Sequence, residues 1–366
     1  MESHRALDEL IATSGDGTAA EAAVDAAASR RLGAFANGLQ RYWAATFVRP
    51  ERERRVVWRR GNAFLSTADA LVPGSPPALL IPSLINRSTV MDLLPGCSFF
   101  DALRQAGYQP FLLEWGAPIA DTVATDLDGY FNTFLVPAFA AMQGVNPRPA
   151  ALIGYCMGGL LATALAFHRQ GKGASALIAL ATPWDFHKPS ADLGKKLAKT
   201  LRLWQPIIDA MGGLPVDALQ ALFATLDPTL VPRKFARFSA MDPESDAVSR
   251  FIAVEDWVND GIPLTPAVCR QLGDGWFGAN APARGLWRCG NERIQPTGLA
   301  LPSLVVAPEG DRIVPSASAE ALAAALPQAT LLKPGIGHVG MMVSESAKER
   351  VWRPLINWLD SRFASL

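Results

Sequence analysis

Gly154-Tyr155-Cys156-Met157-Gly158-Gly159 is the stretch from which this sequence opens. Before it, Ala150-Ala151-Leu152-Ile153 is an apolar run of strand length. After it, Leu160-Leu161-Ala162-Thr163-Ala164-Leu165-Ala166 continues as an apolar helix. A sharp strand-to-helix turn holds its central residue in a strained backbone conformation, and Gly154 and Gly158, lacking Cβ atoms, leave room for it. Cys156 then projects above the sheet at the positive end of the helix, which favours a thiolate. The amide of Met157 is the expected oxyanion donor. Taken alone, the six residues equally allow a buried structural cysteine beside glycines that pack a helix on a sheet.

A nucleophile of this kind needs a base, and the base needs an orienting acid. In an α/β-hydrolase they follow in the order nucleophile, acid, histidine. The chain has four histidines. His4 lies in a terminal segment, His168 on the helix after the elbow, and His187 at the start of the middle insertion. His338 lies in Gly335-Ile336-Gly337-His338-Val339-Gly340, a glycine-flanked loop after the strand-like Ala329-Thr330-Leu331-Leu332-Lys333. It is the expected base. The apolar run Leu304-Val305-Val306-Ala307 precedes Pro308-Glu309-Gly310-Asp311-Arg312-Ile313-Val314-Pro315. Asp311 falls at a strand's carboxyl end, where α/β sheets build their sites. Glu309 is its nearest competitor, and Gly310 favours Asp311 by allowing a tight turn that aims the next residue inward. Turn capping is the alternative role for Asp311.

The whole chain narrows the classes of function. Its 366 residues can bury a large core, and 49% hydrophobic against 19% charged residues describe a folded globular protein. Zero net charge gives no support for nucleic-acid binding as a main activity. No apolar stretch has the length of a membrane span, and Met1-Glu2-Ser3-His4-Arg5 lacks a basic-then-apolar signal. Cys97, Cys156, Cys269 and Cys289 show neither metal-type spacing nor a dense disulfide framework, so no metal site is expected and a reducing cytoplasm fits.

Along the chain, residues 1–72 read as an N-terminal helical segment. It is rich in alanine early and in arginine from Arg49 to Arg60, where a solvated helix face is expected, with an acidic partner surface as the other reading. Apolar runs near 78–81, 110–114, 150–153, 176–180, 304–307 and 329–333 alternate with helical segments near 98–106, 121–142, 159–170, 317–326 and 346–364. That alternation predicts a mostly parallel sheet flanked by helices, with the core over 73–183 and 301–366. Residues 184–300 break the alternation and carry Trp184, Trp204, Trp257, Trp276 and Trp287 among many prolines. This insertion reads as a cap or lid, its aromatics forming its own core or lining an acyl channel.

With these residues in hand, the chain resembles the polyhydroxyalkanoate synthases over most of residues 75–362. The specific blocks are Ile81-Pro82-Ser83-Leu84-Ile85-Asn86-Arg87, Met91-Asp92-Leu93, the elbow, Ala181-Thr182-Pro183-Trp184-Asp185-Phe186, Gly310-Asp311-Arg312-Ile313-Val314-Pro315 and Gly337-His338-Val339-Gly340. The resemblance implies an α/β-hydrolase fold and an acyltransferase that takes 3-hydroxyacyl-coenzyme A as substrate, without a bound cofactor. Cys156 would accept the acyl group, His338 would move the protons and Asp311 would hold His338. The loop after the 78–81 strand would supply a second oxyanion amide, from Leu84 or Ile85. In length the chain is similar to the short synthase subunits that work with a second protein. The resemblance also implies a homodimer and a polyester granule surface as partners. The middle insertion, including Trp257-Val258-Asn259-Asp260-Gly261, matches the family loosely.

Other readings stay open at this stage. A cysteine hydrolase such as a dienelactone hydrolase shares Gly-Tyr-Cys-x-Gly-Gly, but is shorter and leaves the Leu84-to-Arg87 block and the cap unexplained. A polyester depolymerase or thioesterase would share fold and triad. A non-catalytic granule- or lipid-binding protein would be cued by a broken triad, and all three residues are present.

Overall fold

The computed structural model describes residues 17–69, 73–119, 125–225 and 227–363. The N-terminal His4, the start of the helix expected over 121–142 and the last residue of the one expected over 346–364 lie outside them. The described residues form two compact units. One comprises residues 49–225 and 253–363, the other 17–48 and 227–252.

The larger unit is built on eight strands: β1 (Arg55–Arg60), β2 (Ala63–Thr67), β3 (Pro77–Ile81), β4 (Gln109–Glu114), β5 (Ala150–Tyr155), β6 (Ala174–Leu180), β7 (Ser303–Val306) and β8 (Ala329–Leu332). Their order across the sheet is β1-β2-β4-β3-β5-β6-β7-β8. From β4 to β8 every neighbour is parallel, while β1 and β2 add an antiparallel edge. Every residue of β3, β4, β5 and β7 is buried, as parallel strands covered on both faces require. The covering helices include Phe99–Gln105 against β4, Met157–His168 against β5 and β6, and Ser316–Ala325 against β7 and β8. This is the α/β-hydrolase architecture the alternation predicts.

The arginine-rich run differs from its expected helix. Residues 55–67 are a hairpin turned by Gly61, at φ +57°, and Asn62. The two-residue Gly-Asn signal was present in the sequence, but the surrounding arginines read as a solvated helix face. On an edge strand the exposed Arg55, Arg59 and Arg60 keep the open ladder from pairing with another sheet. Just before the strand, Arg52 and Arg54 pair with the buried Asp92, Arg52 pairs also with Asp101, and Arg54 lies 4.5 Å from the Phe100 ring centre. Burial first, and then the neighbouring Arg52 charge, lower the Arg54 pKa to about 10.

Within the larger unit, the aromatics of the middle insertion pack on one another. Trp276 meets Phe186 and Trp287, and Trp287 meets Trp184. Phe235, Phe238 and Phe251 instead belong to the smaller unit. There the helix Gly17–Trp43 packs on Leu230–Ser239, with Phe35 and Tyr42 edge-on to Phe235. Gly38 permits the approach: a Cβ there would lie 2.0 Å from the Phe235 carbonyl oxygen. Arg41 then donates to the carbonyls of Phe238 and Met241 at 2.9 and 2.6 Å, closing the end of the shorter helix.

Candidate active site

Cys156 follows β5 directly and caps the helix Met157–His168. Its φ of 55° and ψ of −123° put a non-glycine residue in a region that costs of order 1–3 kcal/mol. Three glycines make the turn possible. A Cβ on Gly154 would lie 2.3 Å from the Gly159 Cα, one on Gly158 2.1 Å from the Ile81 carbonyl oxygen, and one on Gly159 1.8 Å from the Thr182 hydroxyl. The Cys156 N–H donates to the Leu180 carbonyl at 2.8 Å, which ties the strained residue to β6.

The loops after β7 and β8 bring the other two residues in. The Gly310 N–H donates to the Ile336 carbonyl at 3.1 Å, joining the loops side by side. His338 Nδ1 then lies 2.6 Å from Asp311 Oδ2, with both residues buried. The other carboxylate oxygen, Oδ1, accepts from the backbone N–H groups of Ile313 and Val314, each at 2.8 Å, so the acid is fixed before it holds the ring. Cys156 lies near enough for its charge to act on the His338 ring. Burial disfavours its charged ring, but Asp311 and Cys156 together outweigh burial and raise the pKa. The fold thus joins carboxylate to imidazole and brings both into the electrostatic reach of the thiol.

The competing residues are engaged elsewhere. Glu309 is exposed beside Lys333. His168 meets Glu292 at 3.1 Å, and His187 Nε2 meets the Phe277 carbonyl at 2.9 Å. All four cysteines are free and buried.

Of the expected oxyanion residues, Met157 opens the elbow helix, whose first N–H groups have no intrahelical carbonyl. Leu84 is buried on the loop after β3, and that loop starts where the Ile81 and Pro82 carbonyls press on Gly158. Ile85 is differently placed. Its N–H lies 3.4 Å from the Ser83 hydroxyl and its carbonyl accepts from Ile262 at 2.7 Å. The Ile85 N–H is thus already engaged within its own loop.

Tyr155 was not singled out from the sequence. Its hydroxyl donates to the His338 carbonyl at 3.2 Å, and its ring lies 5.1 Å from the imidazole, centre to centre. Burial, and then the charges of Cys156 and Asp311, push the phenol pKa far up, so it remains a neutral donor. A tyrosine before an elbow reads as strand core, and only the fold brings residue 338 to it.

The chain belongs to the α/β hydrolase fold family, whose profile matches residues 91–345. Within that family it is similar to the poly(3-hydroxyalkanoate) polymerase subunits PhaC. It is 26% identical to that of Thiocystis violacea over 81% of this chain and 84% of the relative. It is 26% identical to that of a Synechocystis species over 78% of each. Among solved structures it is similar to the monoacylglycerol lipase of Paleococcus ferrophilus, with a TM-score of 0.50 and 20% identity over 79% of this chain and 96% of that one. The Rv0554 protein of Mycobacterium tuberculosis gives a TM-score of 0.53 and 19% identity over 81% and 94%. The structural likeness speaks for the fold. No described helix is long and apolar enough to cross a membrane.

Proposed function

We propose that this chain is an acyltransferase that polymerises 3-hydroxyacyl-coenzyme A through an acyl-Cys156 intermediate. The observation that carries the reading is the strained cysteine beside a His338 held 2.6 Å from Asp311, in a chain similar to poly(3-hydroxyalkanoate) polymerase subunits. The Cys156 thiolate attacks the thioester carbonyl, and the oxyanion forms facing the amides of Met157 and Leu84. The bond to the coenzyme A sulfur breaks, and that thiol leaves with the proton from His338. The 3-hydroxyl of the next unit then gives its proton to His338 and attacks the acyl-cysteine. An ester forms and the Cys156 thiolate returns. Asp311 holds the imidazole in the useful tautomer throughout.

Sulfur suits both halves: a thioester forms from a thioester at little cost and stays reactive toward a hydroxyl. The insertion residues of the larger unit, 184–225 and 253–300, serve in this reading as the cap that keeps water from the acyl-cysteine. A second synthase subunit, a second copy of this chain and a polyester granule surface are the partners that go with it, in the cytoplasm.

The experiment supplies 3-hydroxybutyryl-coenzyme A and follows thiol release, turbidity and free hydroxy acid together. Thiol release with turbidity is expected, and Cys156→Ala should abolish both while unfolding at an unchanged temperature. Thiol release matched by free acid, with no polymer, would refute synthesis in favour of hydrolysis. No thiol release would refute this substrate class.

A further inference from the structure

The loop that carries Leu84 is held at both ends. At its start, the Ile81 and Pro82 carbonyls sit where a Cβ on Gly158 would be, 2.1 and 2.5 Å away, so the root of the loop is pressed against the elbow helix. At its far end it is tied to residues 257–262. The Trp257 indole N–H donates to the Arg87 carbonyl at 2.8 Å, and Trp257 is only 7% exposed. Asn86 and Gly261 form an antiparallel bridge, with the Ile262 N–H on the Ile85 carbonyl at 2.7 Å. The Arg87 side chain lies 3.4 Å from Asp260 and 3.8 Å from Glu114. Glu114 accepts from the Ser88 N–H and hydroxyl, each at 2.8 Å, which anchors the next residue of the loop as well.

We infer that residues 257–262 are a strap that positions the Leu84 amide for the oxyanion, with Trp257 as a positioning residue. The inference rests on the acyl-cysteine reading above. The Asp260 carboxylate is two-thirds exposed, and exposed ion pairs hold little. The backbone bridge and the buried indole bond therefore hold the loop. They meet it within three residues of Leu84, too close for slack. An oxyanion donor acts only at about 2.7–3.1 Å from the developing charge. A misplacement of about 1 Å can cost about a hundredfold in rate. Loosening the strap should thus impair attack on a carbonyl and spare any reaction of the same thiol that builds no oxyanion.

Trp257→Phe removes the indole N–H and keeps an aromatic ring in the core. The test compares the native chain with this variant in two reactions of Cys156. One is acylation by p-nitrophenyl acetate, read as the burst of nitrophenolate. The other is alkylation by iodoacetamide, read by mass on the Cys156 peptide. Acylation proceeds through an oxyanion, and displacement of iodide does not. The variant is expected to lose about tenfold or more in burst rate at full burst amplitude, with alkylation within about twofold of native.

An unchanged burst rate overturns the strap, and so does a parallel fall in both rates, which would mark a general disturbance of Cys156 and His338. Gly261→Ala is the second variant, in case the first does not fold. Its Cβ would lie 3.3 Å from the Ile85 carbonyl oxygen and 2.7 Å from a Val216 methyl. The same split between the two reactions is expected of it. A native chain that gives no burst overturns the acyl-cysteine reading as well, whereas a native burst matched by both variants overturns the strap alone.

Discussion

The hydrogen bond between His338 and Asp311 joins a residue whose charge is costly to bury to the group that makes the charge tolerable. Its consequence is a pH dependence with a definite sign. The folded pKa of His338 is raised above the unfolded value of about 6.5. The contribution to stability is therefore complete below about pH 6.5 and declines as pH rises through the folded value of about 10. Urea unfolding of the native chain and His338→Gln should give a gap that is widest near pH 6 and narrows toward pH 10. A gap that widened with pH would contradict the assignment. Tyr155 offers a second check at this scale. Tyr155→Phe removes one donor to the His338 carbonyl and leaves the ring contact, so about 0.5–1.5 kcal/mol of stability should be lost, again by urea unfolding. The meeting of Asp311 and His338 was legible from order and punctuation alone, since each follows an apolar run and a glycine. Tyr155 was not, because its partner lies 183 residues away and nothing in the local pattern names it.

The elbow is also a packing device. Strand β5 and its helix approach β3 and β6 so closely that Gly154, Gly158 and Gly159 all have backbone or a buried hydroxyl where a Cβ would go. Gly159→Ala would drive a methyl into the Thr182 side chain, whose hydroxyl has no partner among the described residues. Overpacking of this kind costs about 1–3 kcal/mol. Thermal unfolding should show that loss, with reduced acylation because the displaced helix carries Met157. The interior strands were readable for a physical reason. Parallel strands covered on both faces give continuous apolar runs, and β3 to β7 match runs picked out by that rule, whereas β8 is an edge strand with Leu331 exposed. The hairpin of β1 and β2 was not readable in the same way. An edge strand buries one face at most, and its arginines hide the period. The strap was hidden for a third reason: a single backbone bridge between residues 86 and 261 leaves no repeating pattern.

Across the whole molecule, the chain is divided unequally and out of order. The smaller unit takes residues 17–48 from one part of the sequence and 227–252 from another. Its core is aromatic: Phe238 and Phe251 stack with ring centres 4.1 Å apart, and Phe235 receives Phe35 and Tyr42. A chain shortened to begin at Arg49 would leave those rings uncovered, and uncovered apolar patches drive association. Light scattering should find this shortened chain aggregating at concentrations where the full chain does not. The arrangement was illegible in the sequence because helix periodicity shows that a face is apolar without saying which face it meets. It also sets a timetable. The helix Gly17–Trp43 is synthesised well ahead of the helix Leu230–Ser239 on which it packs. At about 5–20 residues per second, the ribosome leaves the first helix waiting for roughly 10–40 seconds. During that interval Phe35 and Tyr42 wait for the Phe235 ring on which they pack, so the nascent chain should depend on a chaperone most heavily before the second segment emerges.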